Sequence, residues 1–201
     1  MRHLRSIASF GALLSAAALL IGNAVQADII PVFNVATPVG GGTEFSYTVS
    51  IASGSRVNTG DYFTIYDFKG YIAGSEFAPA DWTPSVQLLG ITPPSQIVID
   101  NPSIMNITFK YTGSASLIGP IDPVGGPGAF GADSIYSGQN VGGQYSSTTH
   151  KQNPGHADHN TVQANQGFVV TPSNVPETSS LMLLVPGLVP LGMILRRRAR
   201  K

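Results

Sequence analysis

The chain has 201 residues and no cysteine, which excludes thiol nucleophiles, cysteine-ligated zinc, iron–sulfur clusters and disulfide staples. Its formal charge of zero hides a division: seven of the 11 basic residues lie at the two ends, so residues 28–175 keep four basic side chains against ten acidic ones, a net −6. A body of that sign does not bind nucleic acid or anionic lipid through its charge.

The first element, residues 1–27, is an export signal. Arg2 and Arg5 form a basic start, residues 7–22 are apolar and rich in alanine and leucine, and Val25-Gln26-Ala27 offers small residues before a cut at Ala27/Asp28. That order is the pattern of a secretory signal peptide, read as a signal helix and set aside from the fold. Residues 28–175 then have the length of one domain with a real core. The chain carries 23 glycines and 15 prolines, most of them in this body, and breakers at that density exclude long helices.

Short strands fill the body instead. Residues 44–51 (Glu-Phe-Ser-Tyr-Thr-Val-Ser-Ile) alternate large apolar with small polar side chains, the signature of a half-buried strand. Residues 106–111 repeat the pattern. Residues 61–68 are aromatic on both faces and read as a central strand, and 97–99 (Ile-Val-Ile) as a strand buried on both sides. Weaker strands are expected at 29–35, 85–89, 129–136, 144–148 and 167–171. Turn signals stand between them at 40–42, 58–60, 92–94 and 101–102. Residues 119–128 form a breaker-rich loop that divides two halves, and 137–165 is polar, expected as a long loop or loose hairpin. Eight or nine short strands without helices predict an all-β antiparallel β-sandwich over 28–171, jelly-roll or immunoglobulin-like, with a barrel as the alternative.

Three groups carry chemistry. His156, Asp158 and His159, with His150 nearby, are the residue types that hold a divalent metal, although Pro154-Gly155 makes the segment a turn and the ordinary reading is a solvated loop. Tyr62, Tyr66 and Trp82 belong to an aromatic-rich stretch that either forms the core or offers a flat platform to a sugar ring. Asp61, Asp67, Glu76 and Asp81 are the carboxylates a glycosidase would need, but their mutual distances are open at this level. No nucleophile elbow, phosphate loop, dinucleotide fingerprint or calcium loop occurs. The body is therefore expected to be non-enzymatic and to need no cofactor.

The C-terminal end has three parts in order. Residues 172–178 are a linker that ends in Val175-Pro176-Glu177-Thr178. Residues 179–195 carry no charged side chain, and as a helix they would extend about 25 Å, near the thickness of a hydrocarbon core. Residues 196–201 hold Arg196, Arg197, Arg198, Arg200 and Lys201, a cluster that keeps its end in the cytoplasm. Without further features this is a stop-transfer anchor. The order Val175-Pro176-Glu177, apolar run, basic tail resembles the sorting signal of PEP-CTERM proteins, with Thr178 where the family pattern has a second proline. That resemblance implies a Gram-negative bacterial substrate of an exosortase-like membrane protease. Export machinery and signal peptidase would act first, followed by an inner-membrane intermediate. Release or attachment at the cell surface or in the extracellular matrix would end the route. It further implies a structural or adhesive role in exopolysaccharide or biofilm. The rival readings are a carbohydrate-binding module and a secreted polysaccharide-active or metal-dependent hydrolase.

Overall fold

The computed structural model of the chain describes residues 28–174. The signal peptide with Ala27, the sorting motif Val175-Pro176-Glu177, the 179–195 run and the basic residues Arg196, Arg197, Arg198, Arg200 and Lys201 lie outside the described residues. Within them there is no helix, and every strand pairing is antiparallel.

Strands β1 (Ile29–Val39) and β2 (Gly42–Ile51) form a hairpin whose two-residue turn is Gly40-Gly41. Gly41 sits at φ 100°, a conformation that side-chain-bearing residues rarely adopt. The next strands are β3 (Ser55–Val57), β4 (Tyr62–Ile65), β5 (Trp82–Gln87), β6 (Asn106–Tyr111) and β7 (Leu117–Ile118). The last five are β8 (Phe130–Ser134), β9 (Gly138–Asn140), β10 (Gln144–Lys151), β11 (Val162–Phe168) and β12 (Thr171–Ser173).

One sheet is ordered β1-β2-β8. The larger one runs β5-β6-β4-β10-β3-β7 with β11 along the other edge of β10, and β12-β9 form a short ribbon. The alternation in residues 44–51 does what its period dictates: Phe45, Tyr47, Val49 and Ile51 all face the core. Phe63 and Ile65 of β4, and Ile107, Phe109 and Tyr111 of β6, meet them from the larger sheet. Phe130 of β8 is the pivot. Its ring lies 5.4 Å from those of Phe63 and Phe109 and 5.3 Å from Trp82, mostly edge-on, the preferred aromatic geometry. Two sheets therefore pack face to face over one aromatic core, a sandwich-like body.

The 61–68 stretch places β4 between β6 and β10, in the interior of its sheet. The breaker-rich loop 119–128 carries the chain from the larger sheet back to the smaller one, with Val124 N–H donating to the Val49 carbonyl at 2.8 Å. Two expectations change. Within residues 137–165 the weak strand expected at 144–148 is present and longer, as β10, and it forms an ordered hairpin with β11 where a long loop or loose hairpin was expected. Ser146, Ser147 and Thr149 of β10 are buried, because small hydroxyl side chains fit a crowded strand interior. Residues 97–99 are not a strand. The segment 88–105 between β5 and β6 has no ladder partner, and Ile97 is 88% and Ile99 77% exposed.

Candidate functional site

The larger sheet has two unlike faces. Its inner face is the aromatic core. Its outer face presents Thr64, Tyr66, Thr108 and Ser146, all buried although three are small and polar. The 88–105 connection buries them by lying across the sheet. Thr64 and Thr108, opposite each other in the β4–β6 register, share a hydrogen bond of 2.8 Å, and Gln87 Nε2 donates to Thr108 Oγ1 at 2.6 Å. The Tyr66 hydroxyl is the hub. It reaches Ser146 Oγ and Thr92 Oγ1 at 2.7 Å each and donates to the Ile91 carbonyl at 2.9 Å. Burial pushes the Tyr66 phenol above its ordinary pKa, so it stays a neutral donor and acceptor. Gly90 packs against this ring so closely that a Cβ there would lie 2.4 Å from Tyr66 Cε1.

The far half of the connection is held by glutamines. Ile97 N–H donates to Gln166 Oε1 at 3.1 Å and Ile99 N–H to Gln144 Oε1 at 2.9 Å. Asp100 accepts from Gly90 N–H at 2.8 Å and from Asn106 Nδ2 at 2.9 Å, and Asn101 N–H donates to Asp67 Oδ1 at 3.0 Å. Burial is the main reason the Asp67 carboxyl is raised above its usual range, with the nearby Asp100 carboxylate adding to it. The backbone amides of Ile97 and Ile99 thus bond down onto the sheet, while the side chains of Leu89, Ile97 and Ile99 are exposed.

Of the expected aromatic platform, Tyr66 and Trp82 are inside the protein. Trp82 is 4% exposed, its ring 5.2 Å from Tyr111 and 5.9 Å from Phe63. Tyr66 is sealed under the 88–105 connection. Tyr62 is half-buried, with its phenol pushed up to about 12 chiefly by burial. The three rings do not share a solvent-facing surface: the strand period sets Tyr62 and Tyr66 on the same side of the sheet, but the 88–105 connection covers Tyr66, and Trp82 turns into the core.

The histidines are separated. His150, on β10, turns to Asp61 in the 58–61 turn, with Nδ1 2.9 Å from Asp61 Oδ2. Asp61 also accepts the Asn58 N–H at 2.8 Å, and burial still outweighs both contacts and raises its pKa. The pair fastens β10 to the turn that leads into β4. At the β10–β11 hairpin tip Asp158 accepts from Lys151 Nζ at 2.7 Å and Asn153 Nδ2 at 3.0 Å, contacts that hold its carboxyl below the usual range. His159 Nδ1 accepts the Asn153 N–H at 3.2 Å, and His156 is exposed. Among the described residues no three His, Asp or Glu side chains are grouped to hold a metal ion. Of the expected ligand set, Asp158 and His159 make contacts within their own turn, and His156 faces solvent.

Asp28, at the start of the described body, donates its N–H to Ser55 Oγ at 2.8 Å. Its carboxyl is pushed up to about 6 by burial, and among the described residues Oδ1 has no hydrogen-bond partner. At the other end Asn174 lies beside Ile104, Met105 and Tyr136, in a shallow cleft of about 410 Å³ that meets the 88–105 connection.

Comparison with protein-family models, curated proteins and solved structures found no match for this chain.

The feature that sequence reading missed is the 88–105 connection. Its signal was present. From Trp82 to Ile99 there is no charged side chain, Asp81 and Asp100 bracket the run, and Pro93-Pro94 interrupts it. Adjacent prolines remove two ladder donors, which argues against a strand.

Proposed function

We propose that this chain is an exported bacterial protein of the cell surface or extracellular matrix, structural or adhesive in an exopolysaccharide layer, and sorted through residues 175–201. One observation carries the reading: the folded body fits between the two sequence signals. β1 opens at Ile29, just past the Ala27/Asp28 cut, and β12 closes at Ser173, just before Val175. Among the described residues, every strand and every core residue lies between the two cuts. Signal peptidase and an exosortase-like membrane protease would then process the chain while the 179–195 run holds it in the inner membrane.

The polar clusters favour a scaffold over a catalyst. Asp61, His150, Asp158 and His159 spend their hydrogen bonds on fastening a hairpin. The finer architecture of this proposal is a jelly-roll or immunoglobulin-like sandwich. Its support is the crossing of the chain between sheets after β2 and again before β8.

Mass spectrometry of the protein from surface and membrane fractions of its host tests the proposal. The expected product begins near Asp28, ends near Pro176-Glu177 and is found outside the inner membrane. Protein that stays in the inner membrane with Arg196 to Lys201 attached would overturn the sorting reading and leave a single-span anchor.

A further inference from the structure

We infer that the β5–β6 connection, residues 88–105, is a lipid-contacting face that rests in the outer-leaflet interface of the membrane while the chain is held there. The inference deepens the proposed function and rests on residues 179–195 being a membrane span.

The first ground is the polarity of the connection. Most surface loops turn apolar side chains down and polar ones out. Here the sheet beneath is polar, and the connection spends its hydrogen-bonding groups on Tyr66, Gln144, Gln166 and Asn106. Three of its aliphatic side chains cover little: Ile97 is 88%, Ile99 77% and Leu89 67% exposed. Leu88 and Ile91 of the same connection are each 46% exposed. Several large aliphatic side chains exposed on one connection are the composition of a contact surface.

The second ground is charge. From Trp82 to Ile99 the chain carries none, in a body of net −6. Inserting residues 88–99 into an apolar phase carries no ionised side chain of that run with it, while Asp100, bonded to Gly90 N–H and Asn106 Nδ2, and the acidic remainder keep the insertion shallow.

The third ground is where the chain leaves the domain. Asn174 sits beside Ile104 and Met105, at the end of the same connection. Residues 175–178 reach at most about 14 Å when fully extended. A span beginning at Ser179 would therefore keep the Ile104–Met105 end of the connection near the bilayer.

A second copy of the chain fits less well. The amide groups of Ile97 and Ile99 that would template strand addition are already bonded to Gln166 and Gln144.

The chain has no native cysteine, so single cysteines report cleanly. The test places the full-length chain in vesicles of phosphatidylcholine, with an environment-sensitive fluorophore on Ile97→Cys or Ile99→Cys. Brominated phosphatidylcholine is the quencher. Ala157→Cys, at the tip of the β10–β11 hairpin, is the exposed control, and Leu183→Cys reports on the span. The expected result is quenching at residues 97 and 99 at least about twofold above that at 157, with emission shifted to the blue. Quenching at Leu183 with none above control at 97 and 99 would overturn the lipid face and leave the span standing. Quenching at 97 and 99 without quenching at Leu183 would keep the face and sink the span. No quenching at any of the three would overturn both. Blue-shifted emission at 97 that is insensitive to brominated lipid, with a doubled mass in solution, would assign the surface to a second copy and overturn the inference. As a second measurement, Ile97→Asp with Ile99→Asp, both on the surface, should reduce quenching of a fluorophore on Leu89→Cys by about tenfold without changing the melting temperature.

Discussion

Replacing Tyr66 by Phe tests how the connection is held to the sheet. The substitution keeps the ring that packs against Gly90 and removes one oxygen. That oxygen donates to the Ile91 carbonyl at 2.9 Å and meets Thr92 Oγ1 and Ser146 Oγ at 2.7 Å. Ile91 keeps a second donor in Thr64 Oγ1 at 3.1 Å, so its loss is partial. Ser146 is fully buried, and its hydroxyl is left without this partner. An ordinary net hydrogen bond contributes about 1 kcal/mol and a stranded buried hydroxyl costs about 1–3, so the variant should lose about 2–3 kcal/mol. For a domain of this length that is a fall in Tm of about 6–12 °C. Calorimetry gives the total, and hydrogen exchange locates it: the amides of Ile97 and Ile99 should exchange faster while those of β6 keep their protection. A Tm within about 2 °C of the parent, with unchanged exchange at residues 97 and 99, would refute the idea that Tyr66 fastens the connection.

Phe130→Ala removes the ring shared by Phe63, Phe109 and Trp82. It should cost about 3–5 kcal/mol in urea denaturation, and a loss under about 1 kcal/mol would contradict the core described here. Gly131→Ala would bring a Cβ to 2.3 Å from the Phe45 carbonyl oxygen and 2.6 Å from Phe77 Cζ. The smaller sheet must shift, so Tm should fall measurably, and an unchanged Tm would show that β8 has slack there. In a chain that retains residue 27, burial lifts the Asp28 carboxyl to about 6. The folded state then binds that proton more tightly than the unfolded chain. The Asp28 contribution to stability therefore rises as pH falls through that value, by on the order of 2 kcal/mol, and is absent in Asp28→Asn. Trimming the chain to begin at Asp28 sets an ammonium group beside the carboxylate and should flatten the rise; parallel melting curves for the three proteins check it. Zinc chloride should leave Tm unchanged, since Asp158 and His159 are engaged within their turn. A zinc-induced rise lost in His156→Ala would restore the ligand reading.

The sequence by itself determined the class of the body and the identity of its core strands. Period-two alternation in 44–51 and 106–111 has one physical outcome when one face of a sheet is buried, and Phe45, Tyr47, Phe109 and Tyr111 are inside as that period requires. Glycine and proline density excluded helices for reasons local to the backbone. Tertiary structure alone decided the fate of stretches whose local pattern is ambiguous. The polar stretch 144–148, only a weak strand by its own pattern, became the interior strand β10 because Ser146 and Thr149 are small enough to pack between neighbours that only the fold supplies. Ile97-Val98-Ile99 carries a strand's composition but found no edge to pair with, since Gln144 and Gln166 bonded its amides first. His150 and Asp61, 89 positions apart, meet only because β10 returns beside the turn that opens β4. Burial, pairing and partner are properties of neighbours distant in the chain, and composition along one segment does not carry them.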